Sequence, residues 1–204
     1  MLAVLLGLAL AGLAPMAHVV TGGGITAMDL MSDPVELTGT PWYLGGVAAL
    51  NLFLWAAAAA LLLVAAVGLW TRERGLAAAM GAIGLLTVLV ALDDRFLVHE
   101  LVLPHFGVPE IVSYVAYGAL AAGLVAAFGR VLLAQPETWL LVLALVGMGA
   151  SVGLDLTGID STVRRVAEET AKMVGAAALT VFPATVLVNR LRTSGGARGA
   201  APGA

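Results

Sequence analysis

Six apolar stretches, each long enough to cross a bilayer, take up most of this chain, and they leave a helical membrane bundle as the fold open to it. They run over residues 2–20, 43–70, 76–98, 110–133, 138–156 and 163–189, separated by charged residues, prolines and glycines. In lipid every backbone N–H and C=O must be paired internally, so each stretch is expected to be one helix. The expected fold is therefore all-α: a polytopic bundle of six transmembrane helices forming a single domain over 1–192. The glycine- and alanine-rich tail 193–204 is expected to be disordered. Only 11% of the 204 residues are charged, against about 25% in soluble domains. No soluble domain of about 50 residues fits between the stretches, so function must lie in the helices or their short connections. The chain has no cysteine, which excludes disulfides, thiolate metal sites, iron–sulfur clusters and cysteine nucleophiles.

The first stretch lacks the basic start and convincing small-residue cleavage site of a signal peptide, and is expected to be kept as a helix. Arg72 and Arg74 follow the second stretch, Arg130 ends the fourth, and Arg190, Arg192 and Arg198 follow the sixth. The positive-inside rule makes those ends cytoplasmic, with both termini inside, as in a multi-pass protein of a bacterial plasma (inner) membrane. Six cations and two acids then lie inside, and four cations and eleven acids outside. The outer face is acidic.

Counting outward from the cytoplasmic end, His18, Asn51, Asp93 with Asp94, Asp155 and Lys172 each follow 16 to 19 residues of their own helix. At 1.5 Å per residue all five positions sit roughly 24–29 Å along a hydrocarbon core about 30 Å thick. This polar layer is either the outer membrane–water interface or a shared, sheltered site. The third and sixth stretches continue beyond it, through Phe96, Leu97 and Val98 to Leu103, and back to Ser161. Sheltered charges tend to pair and to be functional.

The densest group of possible ligands is Asp93-Asp94-Arg95-Phe96-Leu97-Val98-His99-Glu100, with His105 beyond Pro104 able to fold back. On a continuous helix Asp93 and Glu100 share one face, and Arg95 and His99 another. Imidazole with carboxylates suits zinc, iron or manganese. Asp93, His99, Glu100, Asp155 and Glu168 are the candidate ligands of such a divalent metal, although no His-Glu-x-x-His or Glu-x-x-His spacing is present. Asp94, Glu169 and Lys172 are the candidate catalytic acid–base groups. Lys172 is the only lysine and, unlike arginine, can lose its proton when desolvated. The spacing of Arg165, Glu168, Glu169 and Lys172 makes one charged stripe, in which Arg165, or else Lys172, is the expected partner of Glu168.

Glu110 reads as a favourable charge at a helix N-terminus. Tyr114 and Tyr117, further along that helix, fit either hydrogen bonds to the layer or an aromatic belt. Gly147, Gly149, Ser151 and Gly153 place the fifth helix centrally in the bundle. Pro183 is expected to bend the sixth. His18 and His99 differ too much in depth to be paired haem ligands.

The segment LDDRFLVHELVLP, followed about fifty residues later by a helix carrying the acids and Lys172, resembles uncharacterised bacterial polytopic membrane proteins with an Asp-Asp-x-Phe-x-x-His-Glu segment. That resemblance covers roughly 85–190 and implies no activity. The chain is more loosely similar to ceramidase-like membrane hydrolases, which bind zinc near one membrane face. Nothing after His105 is histidine, so their paired-histidine helix is absent and no residue roles carry over.

Three functions are expected to compete. One is a metal-dependent hydrolase acting on a lipid-like substrate, with the metal activating water. The second is an accessory or structural subunit docking a partner membrane protein. The third is a proton or cation transporter or sensor. No internal repeat marks an inverted-repeat transporter. The partners implied are the lipid bilayer, a lipid-like substrate or another membrane protein, with no nucleic acid.

Overall fold

The computed structural model describes residue 39, residues 45–159 and residues 161–199. The expected first span 2–20, with His18, and Asp160 lie outside these. The chain divides into two compact units, Met1–Gly46 and Val47–Ala204, and nearly all the described residues belong to the second.

Among the described residues the long elements are all helical: α1 (Gly46–Leu69), α2 (Arg74–Phe96), α3 (Ile111–Leu133), α4 (Thr138–Asp155) and α5 (Thr162–Gly199). All five are long and apolar enough to cross a membrane, which makes the chain a multi-pass membrane protein. They match the second to sixth expected spans, with ends moved by a few residues. At the C-terminus α5 continues to Gly199, where the sequence suggested a disordered tail from Thr193. Extending a formed helix costs far less than nucleating one, so poor helix formers can follow a long span.

The packing follows from small residues on facing stripes. Buried Asn51, Trp55, Ala58, Leu62, Ala65 and Leu69 recur every three or four residues and form one face of α1. A tight turn sends the chain into α2, with the Arg72 and Glu73 N–H groups both donating to the Leu69 carbonyl at 3.0 and 2.8 Å. Side chains of α1 fill the surface over Gly84, where a Cβ would stand 3.1 Å from Leu63. Between α4 and α5 the backbones themselves meet. A Cβ on Gly147 would lie 2.7 Å from the Ala171 carbonyl oxygen and 2.9 Å from the Gly175 nitrogen. Close approach of this kind is how membrane helices gain dispersion energy in lipid, where burial of apolar surface supplies little drive.

Leu62, Met80, Phe182 and Val186 form the enclosed centre. Pro183, also enclosed, lies inside α5 and removes one donor from its ladder. By contrast, α3 fully buries only Ser113 and Leu132, with Phe128 and Val131 packed partly against the core near its C-terminal end. Its attachment therefore depends heavily on its ends.

Candidate functional site

The site is organised by a break in the chain after α2. The expected helical continuation through Leu97 to Leu103 does not occur: α2 stops at Phe96 and Leu97 takes a left-handed conformation, φ 50°. A π-helical turn, Val98–Val102, follows, then a short helix, Leu103–His105, and a turn at Gly107. A leucine in this conformation costs about 1–2 kcal/mol, and single π-turns often occur at functional sites. The reversal brings His99 back onto Asp93. The His99 backbone N–H donates to Asp93 Oδ1 at 2.9 Å, and ring Nδ1 lies 2.6 Å from Oδ2. The face pairing expected of a continuous helix, Asp93 with Glu100 and Arg95 with His99, is replaced by this one. Because the carboxylate only accepts, Nδ1 carries the hydrogen, and charge-assisted bonds offset the strain at Leu97.

The other ring nitrogen, Nε2, stands 3.6 Å from Glu100 Oε1 and 3.8 Å from Glu110 Oε1. The ring also tilts against Tyr114, centroid to centroid 5.3 Å. Tyr114 then joins α3 to α4, its hydroxyl lying 2.9 Å from Glu110 Oε1 and 2.5 Å from Asp155 Oδ2. A phenol has one hydrogen to give, yet it meets two carboxyl oxygens. The two contacts are met either by one phenol hydrogen shared between both oxygens or by a proton on one of the acids, donated to the phenol oxygen.

Arg164 of α5 continues the chain, with Nη1 3.2 Å from Asp155 Oδ1 and 2.8 Å from Glu168 Oε2. Its position comes from the start of α5, where the Ser161 hydroxyl accepts from the Arg164 N–H at 3.2 Å, an N-cap bond. Beside this chain, Lys172 Nζ donates to Asp94 Oδ1 at 3.1 Å and to Glu169 Oε1 at 3.2 Å.

The sequence candidates thus fall into three groups. Asp94, Glu169 and Lys172, the acid–base candidates, do come together, as an ion-paired trio joining α2 and α5. Asp93, His99 and Glu100 form the second group. Asp155 and Glu168 form the third, around Arg164. The five metal candidates are therefore not one ligand set, and among the described residues no three His, Asp or Glu side chains converge to hold a metal. The donor chemistry explains this: Asp93 gives both oxygens to His99, Asp155 gives its two to Arg164 and Tyr114, and Glu168 is taken up by Arg164. His105 stands edge-on to Phe106, 5.3 Å between ring centroids. Glu110, read from the sequence as a helix-end charge, is a member of the cluster. So is Arg164, which pairs with Glu168 where Arg165 was expected. The i,i+4 spacings of Glu110 with Tyr114 and of Arg164 with Glu168 were the available signals.

A second polar group closes the opposite end of the bundle. Arg190 grips both oxygens of Glu73, at 2.7 and 3.0 Å, and also donates to Gln135 at 2.8 Å. Asn189 donates to Glu137 at 2.5 Å. The enclosed apolar centre separates these residues from the His99 cluster.

A family model described as a domain of unknown function, DUF8692, matches residues 1–186. The chain belongs to the DUF8692 family. No curated protein and no solved structure matches it. All residues of the His99 cluster fall inside the DUF8692 match, whereas Asn189 and Arg190 lie beyond its end.

Proposed function

We propose that this DUF8692 protein is a proton-handling membrane protein, a sensor or one-sided relay that takes up and releases a proton at the His99 end of its bundle. The observation that carries the reading is the Tyr114 hydroxyl in contact with both Glu110 and Asp155, an arrangement in which a proton on either acid gives the phenol oxygen a second bond. Asp155 is also ion-paired to Arg164, whereas Glu110 faces the His99 ring, so Glu110 is the acid assigned to the relay. The His99 Nε2 lone pair, 3.8 Å from Glu110, is the natural exchange partner. Release of that proton leaves two carboxylates competing for one phenol hydrogen and loosens the end of α3, which is otherwise held by buried Ser113 and by Tyr117 against Asp93. Protonation is thereby coupled to helix position. The apolar centre between the two polar groups favours a one-sided device over a through-channel. In the lipid-directed hydrolase reading a metal would have to draw ligands from donors already committed to Arg164, Tyr114 and His99, and no step is assigned to it.

The positive-inside distribution supports placing the His99 end outward and both termini in the cytoplasm of a bacterial cell, with residues 2–20 as a sixth span.

Infrared spectra of the full protein in lipid bilayers test the reading. A protonated-carboxyl C=O band is expected in the wild type, shifting in heavy water and lost in Glu110→Gln. In Tyr114→Phe it moves to a less hydrogen-bonded frequency. A wild type without such a band, or a band untouched by both substitutions, rejects proton storage and leaves the accessory-subunit reading in its place.

A further inference from the structure

We infer that Asn51 and Trp55 bind water inside the bundle at the depth of Asp93, so that the polar layer continues onto α1 as a hydrated site. Asn51 is fully enclosed, at 0% exposure, and neither its amide nitrogen nor its oxygen has a hydrogen-bond partner among the described residues. One turn on, the indole nitrogen of Trp55 is in the same condition at 3% exposure. Both lie on the buried stripe of α1, the stripe whose Leu62 stands against Gly84 of α2. The Leu54 carbonyl between them accepts from Thr180 of α5 at 3.1 Å, so this stretch of α1 adjoins α5 as well.

Depth places the pair with the site. Asn51 is 18 residues from Leu69 and Asp93 is 19 from Arg74, the two ends of one tight turn, so both stand roughly 27–29 Å along their antiparallel helices.

Burying an amide without partners is a desolvation cost that a marginally stable fold does not leave unmet. The unmet groups are three N–H donors, two on Asn51 and one on Trp55, and one acceptor, the Asn51 oxygen. A metal cation would face mostly donors, and an anion would face a carbonyl with no cation among these groups. Water both donates and accepts, and buried waters typically make about three such bonds. The hydrated site stands on burial and geometry alone. Its role as a wet flank from which the His99 cluster exchanges protons rests on the proton-handling reading.

Water-edited solid-state NMR of the full protein in lipid bilayers tests it. Magnetisation transfer from water to the Asn51 side-chain amide and the Trp55 indole N–H is expected in the wild type, with none to the Leu62 methyls. In Asn51→Leu the transfer to Trp55 is lost. A wild-type Asn51 amide as dark as Leu62 overturns the inference, and so does Trp55 transfer undiminished in Asn51→Leu. If that variant does not fold, the wild-type comparison still decides. Water transfer at Asn51 in a wild type lacking the protonated-carboxyl band supports the hydrated site while rejecting the proton-handling reading.

Discussion

Asp93 accepts two hydrogen bonds from a single residue, His99, one from its backbone N–H and one from its ring, with both side chains almost wholly enclosed. In Asp93→Asn the amide oxygen can keep one of these bonds, but its NH2 then confronts the other donor. A loss of about 1–3 kcal/mol in unfolding stability is expected. The imidazole 15N shifts should also leave the Nδ1–H pattern, because the carboxylate that selects that tautomer is gone. Unchanged 15N shifts would show that Asp93 does not orient the ring.

Lys172 serves two acids, Asp94 and Glu169, from one ammonium. Lys172→Met leaves both without that cation and is expected to destabilise by about 3 kcal/mol, the low end for breaking a buried pair, since these groups are partly exposed. Adding Asp94→Asn should restore part of the loss, as pairs in direct contact are non-additive. A double-mutant cycle by thermal or denaturant unfolding reads this. Strict additivity would mean that the contact contributes nothing.

Gly147 and Gly149 share a helix but not an environment. A methyl at Gly147 meets the Ala171 carbonyl at 2.7 Å, whereas one at Gly149 meets nothing within 4 Å. Gly147→Ala must push α4 from α5 and should cost about 1–3 kcal/mol. Gly149→Ala should be neutral or gain up to about 1 kcal/mol from helix propensity. Comparing their unfolding midpoints checks the pair, and equal effects would contradict the close approach.

Leu97 holds its left-handed conformation against its own side chain. Leu97→Gly removes that cost and should stabilise by up to about 1 kcal/mol, net of the glycine's greater unfolded-state entropy. The His99 ring shifts should stay where they are. A large destabilisation would show that the Leu97 side chain, although exposed, supports the turn by packing.

Much of the scaffold was legible because helix depth is local arithmetic. Counting 1.5 Å per residue put Asp94 and Lys172 at one level, and they do meet across α2 and α5. Asn51 was likewise placed at the level of Asp93. Spacing could not choose between Arg164 and Arg165 for Glu168, since i,i+4 and i,i+3 neighbours both lie within reach. The choice came from the turn after α4, which brings Asp155 to Arg164 as well. The five candidate ligands fall into separate groups for a related reason: the same residue types that bind cations also bind arginine, phenol and imidazole.

By itself the sequence determined that this chain spans a membrane, where its helices run, and how far along each one the polar groups lie. Apolar run length and helical rise set these without reference to any neighbour. Only the tertiary structure decided which partner each polar group takes. That depends on how the helices are rotated against one another and on one left-handed residue, Leu97, whose strain of about 1–2 kcal/mol is small beside the contacts it permits.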